Sequence, residues 1–129
     1  MEKNVGHLTL VLGPMFAGKT TYLLKEIKKY EKKYNKDKIL VINHMSDNRY
    51  ADDKISSHDK QMYPCLKKNK LTDITARELE GKEIIIIDEG QFFTDIDETV
   101  RQFINHNNLK ILVGGLNGTF QQKIFDTSN

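Results

Sequence analysis

The residues best equipped for chemistry are Gly13, Pro14, Met15, Phe16, Ala17, Gly18, Lys19 and Thr20, which together form a complete GxxxxGK[ST] pattern. That pattern suits phosphate. Its glycines let backbone N–H groups turn inward around phosphate oxygens, and a helix opening beneath them adds partial positive charge. Lys19 has the reach for β- and γ-phosphates, and the Thr20 hydroxyl can ligate Mg²⁺. By composition the pattern arises by chance in roughly one in a hundred or fewer chains of this size. The competing reading is a glycine-rich turn that holds no nucleotide, and the strand-loop-helix setting described below weighs against it.

A second constellation follows at Asp88 and Glu89, directly after the apolar run Ile84-Ile85-Ile86-Ile87. A carboxylate at the C-terminal end of a buried strand can hold Mg²⁺ directly or through water. Glu89, one residue on, points to the opposite side of the strand end, where it is available to a different proton or water. Taken alone, such a pair also reads as a solvated strand exit. Downstream of a full phosphate loop, the two motifs together imply an enzyme of Mg-nucleotides.

Positioning these residues requires strands and helices in alternation. Leu8 to Leu12 reads as a buried strand ending at Gly13-Pro14. From Thr20 a helix is expected, with Leu23, Ile27, Tyr30 and Tyr34 on one face and Lys25, Lys28, Lys29, Lys32, Lys33 and Lys36 at the other positions. The lysines read first as a solvated face balanced in part by Glu26 and Glu31, with a polyanion-binding patch as the alternative. Ile39 to Ile42 reads as a second strand, and Asn43 to Lys60 as a long loop of the kind that is usually functional. Tyr63 to Leu66 stays ambiguous. A short helix is expected over Leu71 to Glu80, capped by Asp73 and stopped by Gly81. Ile84 to Ile87 is a strand covered on both faces, Asp95 to Asn107 a helix with Ile96, Val100, Phe103 and Ile104 inward, and Lys110 to Val113 a fourth strand. Such alternation implies parallel crossovers and a three-layer α/β domain with a mainly parallel sheet.

Composition sets the frame for this domain. The 129 residues carry 20 Lys and Arg against 18 Asp and Glu, for a net charge of +2. A chain of this length can bury roughly two-thirds of its unfolded surface in one domain without metal or disulfide staples. Near-balanced charge gives no reason to invoke nucleic acid as a partner. The longest apolar runs fall well short of the roughly 20 residues of a membrane helix, so no membrane partner is expected. Met1 to His7 lacks the apolar run of a signal peptide, which predicts a cytoplasmic location. The single cysteine, Cys65, excludes an internal disulfide and a paired-cysteine zinc site, and it reads as a small buried hydrophobe.

Three segments in order, Gly13-Pro14-Met15-Phe16-Ala17-Gly18-Lys19-Thr20-Thr21, Asp88-Glu89-Gly90-Gln91-Phe92-Phe93 and Leu116-Asn117-Gly118-Thr119-Phe120, resemble the type II thymidine kinases of cells, bacteria and poxviruses. Asp47-Asn48-Arg49-Tyr50 resembles the family's D-x-R-Y segment, and Ser57-His58-Asp59 its T/S-H-D segment. The resemblance runs from about Gly6 to Phe125. It implies a RecA-like P-loop NTPase domain over residues 1–129 that transfers the γ-phosphate of ATP to the 5′-hydroxyl of thymidine or a related deoxynucleoside, with Mg²⁺, in a homo-oligomer.

By the same resemblance, Gly13 to Thr21 would bind ATP, and Thr20 and Asp88 would serve the metal. Glu89 would be the general base, with Lys19 and Arg49 on the phosphoryl group, where a planar guanidinium matches spread negative charge. Asp47 would be an outer metal or water ligand. Met15, Gln91, Phe92 and Phe120 would surround the thymine; by residue type alone Met15 and the aromatics read as core. The family's zinc-anchored C-terminal lasso has no counterpart after Phe125, so no zinc site is expected, and Asn117 and Gln122 depart from the usual Asp and basic residue. Two further readings fit the motifs: another P-loop kinase or ATPase, and a nucleotide-binding remnant without catalysis.

Overall fold

The four isoleucines Ile84–Ile87 are β-branched and all buried, a composition that suits a strand covered on both faces. They form the middle of a sheet in a computed structural model that describes residues 2–5, 7–11, 19–45, 54–56 and 62–114, with backbone alone for 2–5, 19–21, 54–56, 62–63 and 106–107. In chain order the strands are β1 (Glu2–Val5), β2 (Leu8–Val11), β3 (Ile39–His44), β4 (Lys54–Ser56), β5 (Met62–Pro64), β6 (Leu66–Lys68), β7 (Ile84–Ile87) and β8 (Lys110–Gly114). The helices are α1 (Lys19–Lys33), α2 (Ala76–Leu79) and α3 (Ile96–Asn107), with 3-10 turns at Lys36–Lys38, Leu71–Asp73 and Gly90–Phe92.

The main sheet has the order β1-β2-β8-β7-β3-β6. Its five strands from β2 to β6 are parallel, and β1 is added antiparallel to β2 at one edge. The strand leading to the phosphate loop and the strand ending at Asp88 are therefore not neighbours. β8 lies between them, paired Leu10↔Val113 on one side and Ile86↔Leu112 on the other.

Strand alternation sorts the core into two layers. Val11, Ile39, Val41, Ile84, Ile86 and Leu112 pack with Leu23, Leu24 and Ile27 of α1. Leu10, Leu40, Ile42, Ile85, Ile87, Ile111 and Val113 pack with Ile96, Val100 and Phe103 of α3. This is the three-layer α/β arrangement expected from the sequence. The inward stripes of α1 and α3 match expectation, although Tyr30 and Tyr34 are only half buried.

Two local expectations are corrected. The segment Leu71 to Glu80 is not one helix: a 3-10 turn and the four-residue α2 replace it, and Thr75 is the cap. The Thr75 side chain accepts from the Glu78 N–H at 3.1 Å, and the Glu78 carboxylate accepts from the Thr75 N–H at 2.9 Å, a reciprocal box that starts a new helix. The loop expected from Asn43 to Lys60 is partly strand, because β3 runs on to His44 and β4 pairs antiparallel with β5. Leu66–Lys68 is a parallel edge strand on β3, and Glu2–Val5 a strand that its polar residues concealed. Cys65 is buried, as expected.

Candidate functional site

The carboxyl ends of β3, β7 and β8 lie side by side, and α1 begins beyond the end of β2. Ligands of open α/β sheets bind at such carboxyl ends. β7 delivers Asp88 there. Its N–H donates to the Ile42 carbonyl at 2.8 Å, extending the β3–β7 pairing one step past the last isoleucine. Counting on from Ile84 and Ile86 places Asp88 on the α1 side of the sheet. The surroundings of Gly114 agree: a Cβ built there would lie 3.1 Å from Leu23 Cδ1 of α1 and 3.5 Å from Asp88 Oδ1. A bare backbone at the end of β8 thus lets Asp88 approach the first turns of the helix that follows the phosphate loop.

The next residue turns the chain away. Glu89 has φ 55° and ψ 45°, left-handed values that are uncommon for a residue with a side chain. Asp88 and Glu89 are only 2% and 4% exposed. Two adjacent buried carboxylates and one left-handed non-glycine residue are costly features of a kind that concentrates at functional sites. Local bonds support them. The Glu89 N–H donates to Asp88 Oδ1 at 2.9 Å, and Gln91 Nε2 donates to Glu89 Oε2 at 2.5 Å.

The turn beyond Glu89 is anchored in the core. Phe92 and Phe93 donate their N–H groups to the carbonyls of Glu89 and Gly90, at 3.1 and 3.0 Å. Phe93 is 1% exposed and packs with the α3 layer, whereas Phe92 is 41% exposed. Asp95, at the start of α3, does not cap its own helix. Its carboxylate instead accepts from the N–H groups of Leu71 and Thr72, at 3.1 and 2.9 Å, tying the turn after Glu89 to the neighbouring 3-10 turn.

Of the expected site residues, Asp88, Glu89, Gln91 and Phe92 are brought together at this edge. Lys19, Thr20 and Thr21 open α1, with their backbone described. Gly13, Pro14, Met15, Phe16, Ala17, Gly18, Asp47, Arg49 and Phe120 lie outside the described residues, as do the Ser57-His58-Asp59 segment and Asn117.

Two residues at the edge escaped the sequence reading. The His44 ring stands edge-on to Phe93 at 4.9 Å and tilted to Phe92 at 5.7 Å, so it walls the site from β3. Asn43 is fully buried and accepts the His44 N–H at 2.8 Å. Because Ile42 pairs with Ile87, Asn43 stands opposite Asp88 in register, and the odd-numbered parity it shares with Ile39 and Val41 was the available signal.

Among the described residues no group of three or more His, Cys, Asp or Glu side chains could hold a metal ion by itself. The donor set suits a cation that keeps waters and takes phosphate oxygens, as Mg²⁺ does, through one carboxylate at Asp88.

Residues 6–129 match the family described as Thymidine kinase. Relatives include the thymidine kinases of Vaccinia virus (strain Western Reserve), Variola virus and Monkeypox virus, each 37% identical over 123 residues that make up 95% of this chain. The alignment covers 67% of each relative, so the chain spans about two thirds of their length. The match takes in the phosphate-loop motif, the buried Asp88-Glu89 pair and the strands that carry them, and the chain belongs to the thymidine kinase family.

Proposed function

We propose that this chain transfers the γ-phosphate of ATP to the 5′-hydroxyl of thymidine, as a family of Mg-ATP-dependent thymidine kinases implies, with Glu89 as the base. The observation that supports the assignment is the pair of adjacent buried carboxylates directly after β7, with Asp88 beside α1 and Glu89 bonded to Gln91. Asp88, on the α1 side, is assigned to the phosphate-binding half and Glu89 to the acceptor.

In this reading the backbone of residues 13–18 and the Lys19 ammonium hold the ATP phosphates, and Thr20 and Asp88 hold Mg²⁺. The metal, when bound, supplies positive charge that offsets charge on the phosphate oxygens. The 5′-oxygen of thymidine forms its bond to the γ-phosphorus as the bond to the bridging β,γ-oxygen breaks. ADP departs and the hydroxyl proton passes to the Glu89 carboxylate. By the family resemblance Arg49 would serve the transferring group, since its planar donors match equatorial oxygens. Such transfer needs little covalent help, so positioning and charge compensation dominate. By the family resemblance Met15, Phe92 and Phe120 would surround the base, and the His44 ring stands against Phe92. Family resemblance further supports a homo-oligomer working in the cytoplasm. Among the described residues no helix is long and apolar enough to cross a membrane.

The deciding experiment is thymidine-dependent ADP release by these 129 residues, with a panel of other nucleosides and small alcohols as acceptors. Transfer to thymidine above the other acceptors is expected. Mg-ATP binding without transfer at saturating thymidine would refute catalysis by this chain.

A further inference from the structure

Gln91 was expected beside the thymine, yet its amide is committed elsewhere. Nε2 donates to Glu89 Oε2 at 2.5 Å, a short distance for N–H···O. The opposite end of the same amide is left wanting: Oε1 is buried and accepts no hydrogen bond among the described residues. Rotating the amide by half a turn would set a carbonyl oxygen against a carboxylate oxygen, two acceptors with no proton between them. The contact with Glu89 therefore decides how the amide lies.

The backbone prepares this contact. Glu89 sits in a left-handed conformation, and a single 3-10 turn, closed by the Phe92 and Phe93 N–H groups, carries Gln91 back over it. Phe93, buried beneath, holds the turn. A glutamate carboxylate on two aliphatic carbons has several rotamers of similar energy, and a base that wanders loses its alignment with the proton it takes. A donor from a fixed turn selects one of them.

We propose that Gln91 is a positioning residue for the transfer: its carboxamide holds the Glu89 carboxylate aimed at the acceptor hydroxyl instead of reading the thymine ring. This rests on Glu89 being the base. The test combines Gln91→Ala and Gln91→Glu, the second keeping the shape while losing the donor, each alone and joined to Glu89→Gln. Mg-ATP and thymidine binding are measured at equilibrium beside kcat. Either Gln91 variant is expected to lower kcat on the order of 100-fold with both binding constants unchanged. In the Glu89→Gln background the same change is expected to cost nothing further, because a residue acting through another shows no independent effect. An equal extra loss in that background, or weakened thymidine binding with kcat intact, would overturn the proposal. If Glu89→Gln itself transfers normally, the base assignment fails, and the contact is then judged by NMR alone. The Gln91 side-chain amide resonances, identified by their disappearance in Gln91→Glu, should move in Glu89→Ala; resonances that stay in place would refute the contact.

Discussion

Asp88 and Glu89 show how backbone geometry gives two chemically similar neighbours different surroundings. Asp88 continues the alternation of β7 onto the α1 side, while the chain leaves the strand through the left-handed turn at Glu89, whose carboxylate is held by Gln91. Replacing Glu89 with Gln keeps size and removes the proton acceptor. Mg-ATP binding should persist and single-turnover transfer should fall to a small residual rate, and normal transfer would remove Glu89 as base. Gly114 is the quieter participant. A methyl there would sit 3.1 Å from Leu23 Cδ1, tighter than ordinary packing and close to Asp88. Gly114→Ala should cost about 1 to 3 kcal/mol in urea unfolding through overpacking against Leu23. The place of Asp88 and Glu89 at the end of a buried strand was legible from type and order alone. Asn43, His44 and Gly114 were not, since their importance lies in which strands adjoin.

Single elements show where local signals outweigh periodicity. The stretch from Leu71 to Glu80 carries enough apolar residues for one helix, but Asp95 claims the Leu71 and Thr72 N–H groups and Thr75 starts afresh with its own box. The TxxE pattern from Thr75 to Glu78 was the signal that the apolar count obscured. Glu78 also meets Lys68 of β6 at 3.1 Å, joining α2 to the sheet edge. The Thr75 N–H bond first, and Lys68 after it, hold the Glu78 carboxyl below its ordinary 4.5. A depressed folded value means the unfolded state binds the proton more tightly, so the stabilisation is present above 4.5 and disappears as pH falls through the folded value. Urea midpoints of the wild type and Glu78→Gln should thus differ at neutral pH and converge on the acid side of 4.5. A gap that is constant with pH would contradict this. Thr75→Ala should cost about 1 kcal/mol by loss of the cap.

Across the whole molecule, one sheet serves two cores and one edge. Ile86 lies fully buried in the α1 layer, two residues before Asp88. Truncation to Ala should cost about 2 to 5 kcal/mol, a large part of the stability of a domain this size, and should reduce folded yield more than any surface change. Ligand linkage offers the complementary measurement. Mg-ATP at 100 times its Kd should raise unfolding free energy by about 2.7 kcal/mol, and Lys19→Ala should abolish most of that gain at the same concentration. An equal gain in Lys19→Ala would place ATP elsewhere.

Residue order alone determined the family chemistry and the layered α/β architecture. A phosphate loop and a strand-ending acidic pair need specific residue types at fixed local spacing, and apolar alternation is a local property. Tertiary structure decided what depends on neighbours distant in the chain. It inserted β8 between the two motif strands, lengthened β3 to bring Asn43 opposite Asp88, and divided the helix expected after Leu71. It also turned the Gln91 amide onto Glu89. Register and side-chain hydrogen bonds are set by packing between segments, and packing of that kind leaves only a faint trace in local periodicity.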